Sequence, residues 1–350
     1  MASKRVGLDI GATAVRAAEV SSNGEGPTLV RAGQVPLPPG AVQSGEVKDP
    51  AAVAEALREL WHLGKFSIRD VVLGVANQRV AVREVVLPWI PEKELRAALP
   101  FQIQEFVPIP IDEAVLDYQV IEDFEQDGKR MVRLLLVAAQ KAMVDQMIQA
   151  VESARLSPVA VDLVPFAVMR SVGTDVSFEE GQDSEAVLDI GGEVTSICIH
   201  TNGLPRFVRI LSVGGADITS AIVRGIGITD EQAEAIKRGR RSDVEPEKVE
   251  ESQVVMSSRT SSFVDEIRSS LDFYESQARG TRIKRVLVTG GGSQLSGLLE
   301  SLDYRVPASV ERGRPFGRIK VPEQMQSSEL SAVEPLLAVA VGLAIPGGES

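Results

Sequence analysis

The chain has 350 residues, enough for two to three domains with a sizeable buried core. Hydrophobic residues make up 44% and charged residues 25%, which excludes a disordered or fibrous chain. Thirty-seven Lys and Arg against 49 Asp and Glu give a net charge of −12, the wrong sign for a nucleic-acid binder. One cysteine excludes an intramolecular disulfide and a Cys-based zinc site, and points to a reducing compartment. Two histidines, His62 and His200, do not make a metal centre. The N-terminus enters a strand-like run directly, without the apolar core of a signal peptide. The most apolar stretch, 336–345, falls short of the roughly 18 residues that span a bilayer. These features predict an acidic, soluble, cytoplasmic protein without direct membrane insertion.

In chain order, Val6, Leu8 and Ile10 alternate with polar residues, reach Asp9-Ile10-Gly11 and resume over 14–20, which predicts two strands around a glycine turn. A third strand follows over 28–35. Val53, Ala56, Leu57 and Leu60 share one face of a helix over 50–63, and 71–75 reads as a buried strand. Residues 77–163 read as strand (80–87), helix (91–106), strand (118–123), strand (131–139), helix (142–155) and strand (159–162), a compact α+β module. Pro100 should kink or split its first helix. After a loop over 173–184, Leu188-Asp189-Ile190-Gly191 repeats Leu8-Asp9-Ile10-Gly11 and is again followed by a returning strand, which suggests two related domains facing one another. Helices are expected over 216–237 and 261–279, with 238–261 a charged, mobile connector between them. A strand at 286–288 meets Gly290-Gly291-Gly292-Ser293, and an apolar helix over 334–345 closes the chain.

The repeated Asp-Ile-Gly turn is the strongest chemical signal. An aspartate ending a buried strand can hold Mg²⁺, and a following glycine lets backbone N–H groups approach phosphate oxygens. Either turn alone is a common structural motif; the pair would place Asp9 and Asp189 on opposite sides of one metal-nucleotide. Arg16 is either a phosphate contact or a surface arginine on a β-ribbon. The glycines 290–292 with Ser293 are either a flexible turn or a bed for a ribose or base. Glu234 and Lys237, three apart on one helix face, are either a surface ion pair or ligands to a ribose. The basic run 237–241 sits beside acidic residues and reads as a solvated loop. Cys198 reads as a small buried core residue, and His200 has no evident partner.

Taken in this order, the motifs resemble the actin, Hsp70 and sugar-kinase ATPase superfamily. The inserted module narrows the resemblance to the branch containing the division protein FtsA and the type IV pilus assembly protein PilM. The likeness to the PilM family covers nearly the whole chain. It rests on Gly7-Leu8-Asp9-Ile10-Gly11, Leu87-Pro88, Glu94-Leu95, Ala98, Phe106-Val107-Pro108, Asp117-Tyr118-Gln119-Val120 and the run from Val286 to Gly292. It implies an α/β, actin-like fold of two related domains around a nucleotide cleft, with an inserted SHS2-like α+β module. The implied divisions are a first domain over 1–76 with a return at 164–185, and the insert at 77–163. A second domain follows over 186–332, with its outer part at about 216–279, and a C-terminal helix over 333–350 packs back on the first. The resemblance also implies ATP or ADP with Mg²⁺. Asp9, Gly11, Ala12 and Thr13 would form one phosphate loop, and Asp189, Gly191 and Gly192 the other. Gly214, Gly215 and Asp217 would form a later turn, and Gly290, Gly291, Gly292 and Ser293 the adenosine motif. Asp9 and Asp189 would hold the metal. The implied partner is the cytoplasmic N-terminal tail of a PilN-type inner-membrane protein. Leu95, Leu99, Phe101, Phe106 and Val107 are candidates for the groove that takes it, or for the core of the insert. Other platform and motor proteins of the pilus are further candidate partners, and the chain is expected at the inner membrane through them.

Two departures from the superfamily pattern stand out. Ala12 replaces the usual Ser of the first loop, with Thr13 beside it. Val164 stands where many of these ATPases carry a water-orienting Glu or Gln, so hydrolysis should be slow or negligible. Asp162 is the one acidic candidate for a catalytic base. The alternatives are a filament-forming FtsA- or MreB-like protein and a small-molecule kinase of the same superfamily. Against the former, the chain ends Pro346-Gly347-Gly348-Glu349-Ser350, without a basic amphipathic helix.

Overall fold

The computed structural model describes residues 3–24, 26–173, 183–240, 243–278 and 280–347. Arg241, most of the 173–184 loop and the final residues of the tail lie outside these. Val6, Leu8 and Ile10 alternate inward along Ser3–Ile10 (β1). The Gly11 N–H donates to the Ala14 carbonyl at 3.1 Å and returns the chain as Ala14–Asn23 (β2). Gly26–Pro36 (β3) extends this antiparallel meander. Ser44 and Gly45, with φ of 49° and 80°, make the tight turn of a small hairpin, Val42–Gln43 (β4) and Glu46–Val47 (β5). Asp49 caps Pro50–Gly64 (α1) through the Ala52 N–H, and Val53, Ala56, Leu57 and Leu60 are buried, as their spacing predicts. Asp70–Val75 (β6) then runs parallel to β1.

Ala81–Pro88 (β7), Glu92–Gln102 (α2), Ala114–Gln126 (β8) and Lys129–Gln140 (β9) follow. The three strands pair in the order β7-β9-β8, and Leu95, Leu99 and Ile103 join Leu134 and Leu136 in a core of their own. Helix α2 ends at Gln102, short of the expected Phe106. Pro100 removes one helical N–H and crowds the carbonyl four residues back, so the chain leaves the helix within a turn. The six elements between 77 and 163 do not share one sheet. Lys141–Ser153 (α3) packs on α1 with Met143, Val144 and Met147 in the larger core, and Ser157–Leu163 (β10) pairs parallel with β6. Helix α3 thus serves as a parallel crossover between β6 and β10, into which the three-strand unit is inserted.

Val164–Val172 (α4) precedes the repeat. Asp183–Ile190 (β11), Thr195–Thr201 (β12) and Leu204–Leu211 (β13) form a second meander, and the Gly191 N–H donates to the Val194 carbonyl at 2.9 Å as Gly11 does to Ala14. Two helices, Gly215–Ile226 (α5) and Asp230–Lys237 (α6), stand where one was expected. Gly227, at φ 71°, ends the first, and the Thr229 side chain caps the second. Pro246–Gln277 (α7) is a single helix of 32 residues that takes in most of the supposed connector. Its charged half is anchored because Val249, Val255 and Met256 pack on the second core, and Pro246 suits the first turn. Arg282–Thr289 (β14), Leu298–Arg305 (α8), Ser309–Arg312 (β15), Ser328–Val333 (α9) and Ala338–Ala344 (α10) complete the chain.

The two five-stranded sheets have the same wiring. Their orders are β10-β6-β1-β2-β3 and β15-β14-β11-β12-β13, each a meander flanked by parallel strands. The duplication read from two short motifs is therefore a duplication of whole sheets. Helix α10 lies against β1 and α4 so closely that a Cβ on Gly7 or Gly342 would overlap the carbonyl of Ala340 or Ala167. Among the described residues no helix is long and apolar enough to cross a membrane.

Candidate functional site

Asp9 and Asp189 end the central strands of the two sheets, and their turns face each other. The Thr13 methyl lies 3.3 Å, and the Ala12 methyl 3.8 Å, from where a Cβ on Gly192 would stand. Arg16, cross-strand from Asp9, reaches its carboxylate at 3.4 Å; the matching position opposite Asp189 is Ser196, which carries no charge. Burial raises the Asp9 carboxyl above its ordinary range, against the pull of Arg16. Burial, and then the charge of Asp9, push Asp189 up to about 7, with Arg16 again opposing. Two carboxylates with one guanidinium between them form a site with surplus negative charge and hard oxygen donors, which suits a divalent cation. Among the described residues no group of three His, Cys, Asp or Glu side chains could hold a metal alone. A cation here would complete its shell with phosphate and water oxygens.

The Gly214-Gly215 turn is tied to the second Asp loop: Gly215 N–H donates to the Gly191 carbonyl at 3.0 Å and Ala216 N–H to Gly192 at 2.7 Å. A Cβ on Gly214 would stand 2.5 Å from the Gly192 oxygen, so only glycine permits this approach. The Asp217 carboxylate accepts from the Gly214 N–H at 2.8 Å and holds the turn from behind. The Lys237 ammonium donates to the Gly215 carbonyl at 3.0 Å and to Thr219 Oγ1 at 2.7 Å, and pairs with Glu234. Burial pulls the Lys237 pKa down; burial alone would raise that of Glu234, but the bonds from Lys237 and Thr219 hold it below the carboxylate range. This is a network at the glycine turn with Lys237 buried, while Glu234 stays partly exposed and also pairs with Arg238 at 3.2 Å. A Cβ on Gly215 would lie 3.8 Å from Gly292 Cα, and one on Gly290 (φ 83°) 2.6 Å from Asp189 Oδ1. The Ser293 hydroxyl donates to the Gly290 carbonyl at 2.7 Å, which closes its own turn.

Other expectations need correction. Asp162 is ion-paired with Arg170 and accepts from the Leu163 N–H, while Arg170 also donates to the Gly342 carbonyl at 3.2 Å. Its carboxylate is committed to Arg170 of α4, which in turn reaches α10. Val164 is buried in the cluster with Val72 and Leu343. Leu95, Leu99 and Val107 lie in the core of the insert, whereas Phe101, 84% exposed, and Phe106, 43% exposed, are on the surface. Cys198 is buried beside Met169, as expected of a small core residue, whereas His200 has a partner after all, lying 3.2 Å from Glu185.

Two features had no clear sequence signal. Thr219, one helical turn beyond Gly215, completes the Lys237 network. A cavity of about 1970 Å³ opens between the insert and the second domain, with Arg79, Val82, Arg83, Phe207, Arg209 and Phe273 in its walls. Strands β7 and β13, each the edge of its sheet, adjoin one another and both line it.

Residues 7–347 match the family described as type IV pilus assembly protein PilM. The chain belongs to the PilM family. A solved PilM-PilN type IV pilus biogenesis complex contains a chain 32% identical to it, with a TM-score of 0.81 and 97% of both chains covered. Two more distant structures share the fold alone. The ethanolamine utilization protein EutJ of Carboxydothermus hydrogenoformans is 17% identical (TM-score 0.56, 98% of this chain and 89% of that one). MreB5 of Spiroplasma citri, solved with ADP, is 14% identical (TM-score 0.52, 97% and 94%). The fold of this PilM-family chain is thus the actin-like one that the motifs implied. FtsA of Bacillus subtilis is 24% identical over 255 residues, 67% of this chain and 57% of its own length. The chain spans about three fifths of the length of the FtsA relatives it matches.

Proposed function

We propose that this PilM-family chain is a nucleotide-binding scaffold of the type IV pilus assembly platform that holds the cytoplasmic tail of a PilN-type inner-membrane protein. The observation that carries this is the near-complete correspondence with the PilM chain of a PilM-PilN complex. The chain would lie at the inner membrane through that partner, with other platform and motor proteins as further partners.

The nucleotide reading rests on the opposed Asp turns. Asp9 and Asp189 would hold Mg²⁺, and the backbone N–H groups of 12–13 and 192 take phosphate oxygens, since those of Gly11 and Gly191 already close their own turns. Gly214, Gly215, Glu234, Lys237 and Gly290–Gly292 flank the ribose and base of ATP or ADP; Asp217 and Ser293 hold their turns in place. The cation supplies charge neutralisation between two carboxylates that otherwise repel. Hydrolysis is slow, because Val164 is apolar and faces the core, and turnover stays below about 1 s⁻¹, the low end of the enzyme range. The kinase alternative loses its one acidic candidate, Asp162, to Arg170.

The tail is assigned to the cavity between β7 and β13 rather than to the outer face of α2. Two strand edges there offer backbone donors and acceptors to an extended segment, and Phe207 and Phe273 offer apolar contact. Titration of a PilN-type tail peptide should show saturable binding that Phe273→Ala weakens about tenfold, an ordinary loss for a buried aromatic anchor. Undiminished binding in Phe273→Ala would move the tail elsewhere, and no binding by the unaltered protein would remove the partner from this account.

A further inference from the structure

The hairpin β4–β5 touches both halves of this proposed machinery. At its tip, the Ser44 N–H donates to Glu193 Oε2 at 2.7 Å. Glu193 directly follows Gly191 and Gly192 in the second Asp loop, so this bond joins the first domain to the second at the nucleotide cleft. From behind, Asn77 grips the same tip. Its Nδ2 donates to the Ser44 carbonyl at 2.6 Å and to Glu46 Oε1 at 3.3 Å, and the Asn77 side chain is buried. Gly45, at φ 80°, lies so close to the Ala76 carbonyl that no Cβ fits between them.

Asn77 opens the segment that enters the insert and lines the cavity. Asn77 Oδ1 accepts from the Arg79 N–H at 2.7 Å, and its carbonyl accepts from the Val80 N–H at 2.9 Å. The Arg79 guanidinium reaches Glu46 Oε1 at 3.1 Å and Gln140 at 3.1 Å, the other strand joining insert to first domain. Gln78, Arg79, Val80 and Gln140 are all cavity-wall residues. A hydrogen-bonded chain therefore runs Glu193–Ser44–Asn77–Arg79, from the second phosphate loop to the wall of the cavity.

We infer that the β4–β5 hairpin is a relay through which occupancy of the nucleotide cleft sets the position of the cavity wall, with Glu193 as the positioning residue at its cleft end. The inference rests on the nucleotide and tail sites proposed above and adds the device that regulates them. The two arrangements it distinguishes are Glu193 engaged with the hairpin tip and Glu193 withdrawn with the second loop. A ligand that moves the loop breaks or makes one charge-assisted bond, and the rigid Ser44–Gly45–Ala76 contact passes the change to residues 76–80. By linkage, a segment held in the cavity alters nucleotide affinity by the same factor.

Hydrogen exchange on the full chain tests this without any ligand. In Glu193→Ala, exchange at Ser44 and across residues 76–80 should rise about tenfold, the effect of losing one bond to a charged acceptor. Glu193→Gln, which keeps an acceptor oxygen, should restore most of the protection. Unchanged exchange at 76–80 in Glu193→Ala would overturn the relay, and so would a rise confined to Ser44. A second arm adds Mg²⁺ and ATP. Protection at 76–80 should change in the unaltered protein and not in Glu193→Ala; an equal change in both would also overturn it. If the unaltered protein fails to bind ATP, the nucleotide reading falls, while the ligand-free arm still decides the mechanical link.

Discussion

Replacing Asp189 by Asn removes a buried carboxylate that the fold resists. Its carboxyl stands at about 7 in the folded protein against an ordinary value of 3.8, with burial first and the charge of Asp9 second as causes. Between those two pH values the folded chain keeps a proton that the unfolded chain has released. Stability from this group is therefore highest below about pH 4, falls as pH rises towards 7, and stays low above it. A rise from 3.8 to about 7 corresponds to about 4 kcal/mol. Water in the open cleft screens part of this, and roughly 2 kcal/mol is the reasonable gain for the Asn variant at pH 8. For domains of this size that raises Tm by about 4–8 °C. Thermal unfolding in chelator, without nucleotide, should show this gain at pH 8 and only about a quarter of it at pH 4.5. Adding Mg²⁺ and ATP should reverse the order, because only the Asp form is stabilised by cation-nucleotide binding. An Asn variant no more stable than the original at pH 8, or equally stabilised at both pH values, would refute the argument.

The residues offered as a partner groove separate by burial, and mutation should show it. Leu99→Ala should cost about 2–5 kcal/mol by denaturant melt, whereas Phe101→Ser, on a side chain 84% exposed, should fall within about 0.5 kcal/mol. Val164→Gln should not raise ATP turnover, because the amide would enter the apolar cluster beside Val72 and Leu343 rather than the cleft. It should lower stability by about 1–3 kcal/mol through an unsatisfied buried group. Turnover that rose well above the original would put residue 164 in the cleft after all.

Local periodicity carried a large part of the fold. The strand alternation at Val6, Leu8 and Ile10, the α1 face and the repeated Asp-Ile-Gly turn are all short-range patterns, and the repeat proved to be a duplication of two identically wired sheets. What periodicity could not supply was sheet membership. Nothing local to β10 says that its partner is β6, some eighty residues earlier in the chain, rather than β9 beside it. The charged stretch within α7 misled because composition reports solvent exposure, and a long helix can be solvated on most of its surface while a few contacts, such as Val249 and Val255, fix it. At the cleft, residue types indicated the Asp turns and the glycines, but not direction. Asp217 and Ser293 point into their own turns, and Asp162 points at Arg170, because each has a closer partner that only the folded chain provides. Thr219 and Glu193 gave no signal, since a lone hydroxyl or carboxylate acquires its role from neighbours distant in sequence.

The most direct test of the account is calorimetric titration of Mg²⁺-ATP into the full chain at pH 8, above the Asp189 pKa, and into Asp189→Ala. Saturable binding at one site per chain, weakened at least about tenfold in Asp189→Ala as expected for a lost cation ligand, is the predicted result. Equal affinity in the two proteins, or no binding by the unaltered one, would contradict a nucleotide held between the paired Asp loops.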